Sequence, residues 1–194
     1  MSTLKTLLSE IRACTICSEH LPLGPNPILS GNKSSRIAII GQAPGTRVHN
    51  TGIPWNDPSG DQLRKWLEVS NDEFYTTSLF AITPMGFCYP GKGKSGDLPP
   101  RPECARTWHE QLFAHLSSVK LTLLIGQYAQ RYYLGDSMKK NLTETVRNHD
   151  QYFPKFIPLP HPSPRNRLWI RKNPWFELEV LPVLKERVHQ LIEK

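Results

Sequence analysis

The residues best suited to chemistry lie in two short loops and one set of thiols. His161-Pro162-Ser163-Pro164-Arg165-Asn166 displays an imidazole, a hydroxyl, a guanidinium and an amide. Two prolines stiffen that frame, because each ring locks φ and removes a donor N–H. A histidine here can donate a hydrogen bond to a developing anion or carry a proton near neutral pH. A lone histidine is more often structural, but packing explains poorly one set between an apolar run and a double-proline loop. The second loop is Gly41-Gln42-Ala43-Pro44-Gly45. Its glutamine can orient water but cannot take water's proton at neutral pH. The thiols are spaced Cys-x2-Cys at Cys14 and Cys17 and Cys-x15-Cys at Cys88 and Cys104. Four thiolates suit tetrahedral zinc or a [4Fe–4S] cluster, and softness does not decide between them. Four free buried thiols are the alternative.

Both loops follow apolar runs that read as buried strands, Arg36–Ile40 and Phe156–Leu159. Leu4, Leu7, Leu8 and Ile11 predict an amphipathic helix over 3–13, ahead of a Pro/Gly/Asn/Ser-rich loop at 18–34. Gly41 to about Ser59 reads as loop, with Ser59 as the N-cap of a helix opening at Gly60. Phe74–Thr83 reads as a second strand and 84–102 as a long Gly/Pro/Lys loop. A helix follows from Pro102 to about Ser118, with proline near its first turn. Leu121–Ile125 is a third strand and Gln127–Leu134 a short helix. The last helix spans about Phe176 to Ile192, with Leu178, Leu181, Val188 and Leu191 on its apolar side and a kink at Pro182.

Strands alternating with helices imply an α/β domain: a three-layer α/β/α sandwich around a mainly parallel, four-stranded sheet. In such sheets ligands bind outside the carboxyl ends of the strands. The loops at Gly41–Gly45 and His161–Asn166 should therefore face each other on one rim. The cysteines would tie the N-terminal helix to the 88–104 loop, and a loop that long is usually functional or pinned.

A chain of 194 residues with 38% hydrophobic content suits a single domain over 1–194. The net charge of +7 favours a polyanionic partner, weakly. No stretch has the length of a membrane span and the N-terminus shows no signal-peptide core, so the expectation is a cytoplasmic protein with reduced thiols.

Together these pieces resemble the uracil-DNA glycosylase superfamily, most closely its iron–sulfur branches (family 4/5-like). Gly41–Gly45 looks like the first motif, Gly52-Ile53-Pro54-Trp55 like the Gly-x-Pro-Phe segment after it, and Phe156–Asn166 like the second motif. The cysteine pairs are similar to the ligands of the [4Fe–4S] members. The resemblance implies a monomeric enzyme that flips a damaged base, uracil first among them, out of DNA and hydrolyses its N-glycosidic bond. It implies Trp55 as the stacking aromatic, with an ordinary core tryptophan as the alternative. His161 becomes the donor to the departing base anion. Gly41, Ala43 and the backbone amides of Gln42 and Ala43 join the base pocket. Ser163, Pro164, Arg165 and Asn166 form a minor-groove wedge. Arg167, Arg171, Lys172, Lys92, Lys94 and Arg101 are candidates for phosphate contact as a cluster, each by itself better read as a solvated surface charge.

Two departures stand out. Other families carry a carboxylate or asparagine where this chain has Gln42 or Ala43. Asp57 is then the candidate for positioning water, or else a turn residue in Asn56-Asp57-Pro58-Ser59. Uracil readers often carry asparagine at the end of strand two, where Thr77-Ser78 is expected to stand. Ser78 is the candidate there, with hypoxanthine or xanthine as other substrates. A relative that keeps the pocket and binds DNA or nucleotides without hydrolysis is the alternative function.

Overall fold

The computed structural model describes residues 3–193. Four short apolar segments form the sheet: β1 (Ile37–Ile40), β2 (Phe80–Ile82), β5 (Leu121–Ile125) and β6 (Phe156–Leu159), with β3 (Lys92–Gly93) and β4 (Gly96–Asp97) forming a separate hairpin. The order is β2-β1-β5-β6 and every pairing is parallel. Nearly every residue of these four strands is buried, as expected of a sheet covered on both faces.

Among the described residues the α-helices are α1 (Leu4–Arg12), α2 (Thr46–Thr51), α3 (Pro58–Leu67), α4 (Asn71–Tyr75), α5 (Pro102–Cys104), α6 (Glu110–His115), α7 (Gln127–Leu134), α8 (Leu142–Arg147), α9 (Arg167–Lys172) and α10 (Leu181–Ile192). Side chains alternate across the strands, so each face takes every second residue. Ile37, Ile39, Phe80, Ile82, Leu121, Leu123, Ile125, Ile157 and Leu159 pack on Leu63, Trp66 and Leu67 of α3 and on Leu184, Val188 and Leu191 of α10. Ala81 meets Leu7, Leu8 and Ile11 of α1 and Leu112 of α6, while Ile40 and Leu124 meet Ala129 and Leu134 of α7. The result is the three-layer sandwich predicted from the sequence. No helix among the described residues is long and apolar enough to cross a membrane.

Several boundaries differ from those predicted. Phe74 belongs to α4, capped by a Ser70–Glu73 box, and β2 begins only at Phe80. The N-cap of α3 is Asp57, two residues ahead of Ser59, with Pro58 in the first turn. The stretch read as loop between Gly41 and Ser59 contains α2, and the long loop after β2 contains the β3–β4 hairpin. The helix expected from Pro102 to Ser118 ends at His115, with a π-helical stretch at Ala105–His109. The C-terminal helix has a π-helical stretch at Phe176–Val180, and Pro182 sits in the first turn of α10. That stretch rotates Leu178 outward to 74% exposure and turns Phe176 and Val180 inward.

Candidate active site

β1, β2 and β6 all end on one rim, and the segments that leave them line a single cleft of about 460 Å³. Gly41, Gln42, Ala43 and Gly45 come from the loop after β1, Pro84 from the segment after β2, and His161, Ser163, Arg165 and Asn166 from the loop after β6. Trp55, Asp57 and Ser59 add the entry to α3, and Ser95, Gly96 and Asp97 add the hairpin. The volume lies within the usual range of small-molecule pockets.

Backbone hydrogen bonds fix this frame. Met85 N donates to Gly41 O at 2.9 Å and Gly86 N to Gln42 O at 3.0 Å, locking the first loop onto the segment after β2. On the far side the buried Gln130 amide donates to Leu124 O and Leu159 O at 3.2 and 3.0 Å. It thereby ties the ends of β5 and β6 just before His161. Asn166 Nδ2 donates to His161 O at 2.7 Å, folding the Pro162–Asn166 loop back on itself. Asn166, expected in the wedge, thus braces the histidine, while Pro164 and Arg165 are exposed.

Trp55 forms one wall. Its φ of 57° lies in the left-handed region, which a side-chain-bearing residue adopts only when its surroundings force it. A β-carbon at Gly41 would lie 2.8 Å from Trp55 Cζ2, and one at Gly60 only 1.7 Å from Trp55 O. Both glycines are therefore required by the same tryptophan. From below, Tyr75 Oη donates to Pro54 O at 2.9 Å and Arg64 Nη1 to Trp55 O at 3.4 Å.

His161 is half-buried beside that indole. Burial lowers its pKa, and the nearby Asp57 carboxylate only partly opposes this, so the imidazole is neutral at neutral pH. A neutral imidazole retains one N–H to donate. Asp57 has two duties: its Oδ1 accepts from Gly60 N at 2.8 Å, capping α3, while the residue lines the cleft. Gln42 is turned toward the hairpin, its Nε2 donating to Leu98 O at 3.2 Å. Asp97 was not foreseen. The spacing Gly93-Lys94-Ser95-Gly96 is a two-residue hairpin signal that could have revealed its setting. Partial burial raises the Asp97 pKa, with Arg165 and Lys92 opposing and Asp57 reinforcing the shift.

Ser78 is not in the cleft. It is exposed and precedes β2, at the amino end of the sheet, because β2 starts later than the apolar run suggested. The carboxyl end of β2 instead leads into Thr83 and Pro84, of which Pro84 lines the cleft. Arg101 also lies elsewhere: it pairs with Glu103 beside the cysteines. Arg167 and Arg171 line a second groove with Lys65, Pro162 and Pro164, leading away from the exposed edge of the loop.

The four cysteines are free thiols that line one small cavity with Leu21, Phe87 and Arg101. Burial raises the pKa of Cys17 and Cys88 and pushes that of Cys104 up to about 12. Among the described residues no three His, Cys, Asp or Glu side chains are grouped as ligands of one metal ion. Four thiols around a common space match the all-thiolate donor set of an iron–sulfur cluster, and equally that of tetrahedral zinc.

A family model described as the uracil DNA glycosylase superfamily matches residues 29–185. The chain is also similar to the type-4 uracil-DNA glycosylase of Thermotoga maritima, 24% identical over 168 residues that cover 82% of this chain and 82% of the relative.

Proposed function

The chain belongs to the uracil DNA glycosylase superfamily, and from that premise we propose that it is a monofunctional DNA glycosylase of base-excision repair. Its substrate is DNA carrying a deaminated or damaged base, uracil first. The observation that carries this reading is the convergence of Gly41–Gly45 and His161–Asn166 on one cleft, walled by Trp55. The relative named as a type-4 uracil-DNA glycosylase supports it.

The chemistry follows from the side chains present. A base in a duplex must leave the stack before its glycosidic bond can be reached. The exposed Pro164 and Arg165 would form the wedge that enters the groove. Lys65, Arg167 and Arg171, in a groove that Asp61 and Glu177 also line, would meet the phosphates alongside. Inside the cleft the Trp55 indole offers an apolar wall, and Gly41 lets the base approach the backbone closely. As the bond to C1′ breaks, negative charge gathers on the base and positive charge on the sugar. In this reading the neutral His161 N–H would stabilise the first, and the Asp57 carboxylate the second.

Cys14, Cys17, Cys88 and Cys104 would hold a [4Fe–4S] cluster. Such a cluster supplies a structural pin between α1 and the segment after β2, and no catalytic step here depends on it.

The test is a panel of labelled oligonucleotides carrying uracil, hypoxanthine or xanthine, single- and double-stranded, treated with alkali after incubation. Strand breakage on at least one of them is expected, and it names the base. One observation favours a second reading, in which the chain binds DNA without hydrolysis. Gln42 stands where a carboxylate is usual, and its amide is already engaged by Leu98. Tight DNA binding with no abasic site on any substrate would favour that reading.

A further inference from the structure

We propose that Asp97, delivered into the cleft by the β3–β4 hairpin, is the general base that takes the proton of the attacking water. This rests on the glycosylase reading above and gives a residue to the step that reading leaves unassigned.

The first loop brings no carboxylate of its own, because Gln42 and Ala43 occupy its central places. The hairpin brings one from outside. A β-carbon at Gly45 would lie 3.4 Å from Asp97 Oδ2, so this carboxylate rests against the end of the first loop. The hairpin is fastened there on two sides. Gln42 Nε2 donates to Leu98 O at 3.2 Å, and Arg165 Nη1 donates to Ser95 O at 3.3 Å. A β-carbon at Gly96 would lie 2.7 Å from Arg165 Nη1, so glycine there lets the guanidinium lie flat on the hairpin. The hairpin thus meets both loops that define the cleft, and Asp97 lines the cleft between them. Asp57 is differently placed, since one of its oxygens is committed to the cap of α3.

The charged and titratable groups facing Asp97 are Arg165 from the second loop, Lys92 across the hairpin and Asp57 from the start of α3, with His161 in the same cleft. Burial together with a second carboxylate raises the proton affinity of Asp97 above that of a free aspartate. That makes its carboxylate a stronger base than that of a free aspartate. In the reaction the water oxygen bonds to C1′ as Asp97 takes one of its protons. The C1′–N bond breaks and its electron pair leaves on the base as an anion, held by the His161 N–H. Solvent then protonates the base nitrogen and Asp97 returns its proton to solvent. The products are the free base and a hydroxyl on C1′.

The experiment is single-turnover cleavage across pH, on the best substrate of the panel, for the wild type, Asp97→Asn and Asp57→Asn. The wild-type rate should rise with pH through one acidic limb and level off. Asp97→Asn should be slower by roughly 10²-fold, the scale of a lost general base, and should lose that limb. Asp57→Asn should be slower but keep the limb. Formate should restore part of the rate to Asp97→Ala, because a small carboxylate can occupy the vacated space. An unchanged rate in Asp97→Asn, or a slow rate with the limb intact and no formate rescue, overturns the assignment while leaving the glycosylase reading in place. A wild type silent on every substrate overturns both.

Discussion

The Trp55 indole and the His161 imidazole lie with ring centroids 5.6 Å apart and planes tilted by 31°. One ring comes from a loop that precedes α3, the other from the loop after β6, so this contact joins the two halves of the cleft. The residue sits at positive φ, against local preference, and Gly41 and Gly60 leave it the room to do so.

From that contact comes a pair of expected outcomes. In Gly41→Ala the new methyl meets the edge of a ring, at 2.8 Å, and the indole must shift. Cleavage should drop by at least tenfold with only a small change in thermal stability. In Gly60→Ala the methyl meets a backbone oxygen at 1.7 Å, and α3 itself must move. That change should cost about 4 kcal/mol or more, at the exceptional end for one substitution. Urea unfolding of both variants checks the contrast, and equal losses of stability would rule out Trp55 as the flexible partner.

Loss of the His161 N–H should be felt in the rate and not in the fold. His161→Ala should lower single-turnover cleavage by about 10²- to 10³-fold, the effect of removing one donor from a site of developing negative charge. DNA affinity, read by fluorescence anisotropy, should change little. Because burial lowers the imidazole's pKa, the neutral form persists below the usual histidine range. Activity should therefore not require pH above 7.

The groove lined by Lys65, Arg167 and Arg171 should register as salt dependence. Replacing Arg171 with Ala should weaken binding to any duplex by a similar factor, whatever its sequence. The slope of log K against log salt should shrink by about 0.9, the value for one lost phosphate contact. A variant that binds with an unaltered slope would remove this groove from the DNA path.

Much of this site can be seen in the chain before any coordinates. The strands Leu121–Ile125 and Phe156–Leu159 begin and end where apolar content begins and ends. Parallel topology alone then brings Gly41 and His161 to one rim. Errors arose where a short apolar run has two possible lives. Phe74 and Tyr75 look like strand, yet Ser70 and Glu73 form a capping box that commits them to helix, and Ser78 moved out of the site with that boundary. Asp97 was hidden for another reason. Its hairpin has only two residues per strand, too short for alternation to show, and its place in the cleft depends on long-range contacts of Arg165 and Gln42.

His109 supplies the last prediction, which concerns acid stability. It is buried at 1% exposure behind the cleft, between the cysteine cavity and the site. Its Nε2–H donates to the carbonyl of Pro84, a residue that lines the cleft, at 3.1 Å, and its Nδ1 accepts from Tyr133 Oη at 2.6 Å. Phe87, which lines the cysteine cavity, stacks on the ring at 5.5 Å. Burial lowers the pKa of this imidazole from 6.5 to about 4. The unfolded chain therefore binds a proton that the folded one refuses, between those two values. Stability should be unaffected by this group above pH 6.5, fall as pH drops through the window, and level off below about 4. The full loss is about 3 kcal/mol, from a shift of 6.5 to about 4 at 1.36 kcal/mol per unit. His109→Gln keeps a side chain that can donate to Pro84 O and accept from Tyr133 but cannot titrate. Urea unfolding at several pH values should show a shallower decline for this variant between pH 6.5 and 4. Parallel curves for variant and wild type would mean that other groups govern acid unfolding.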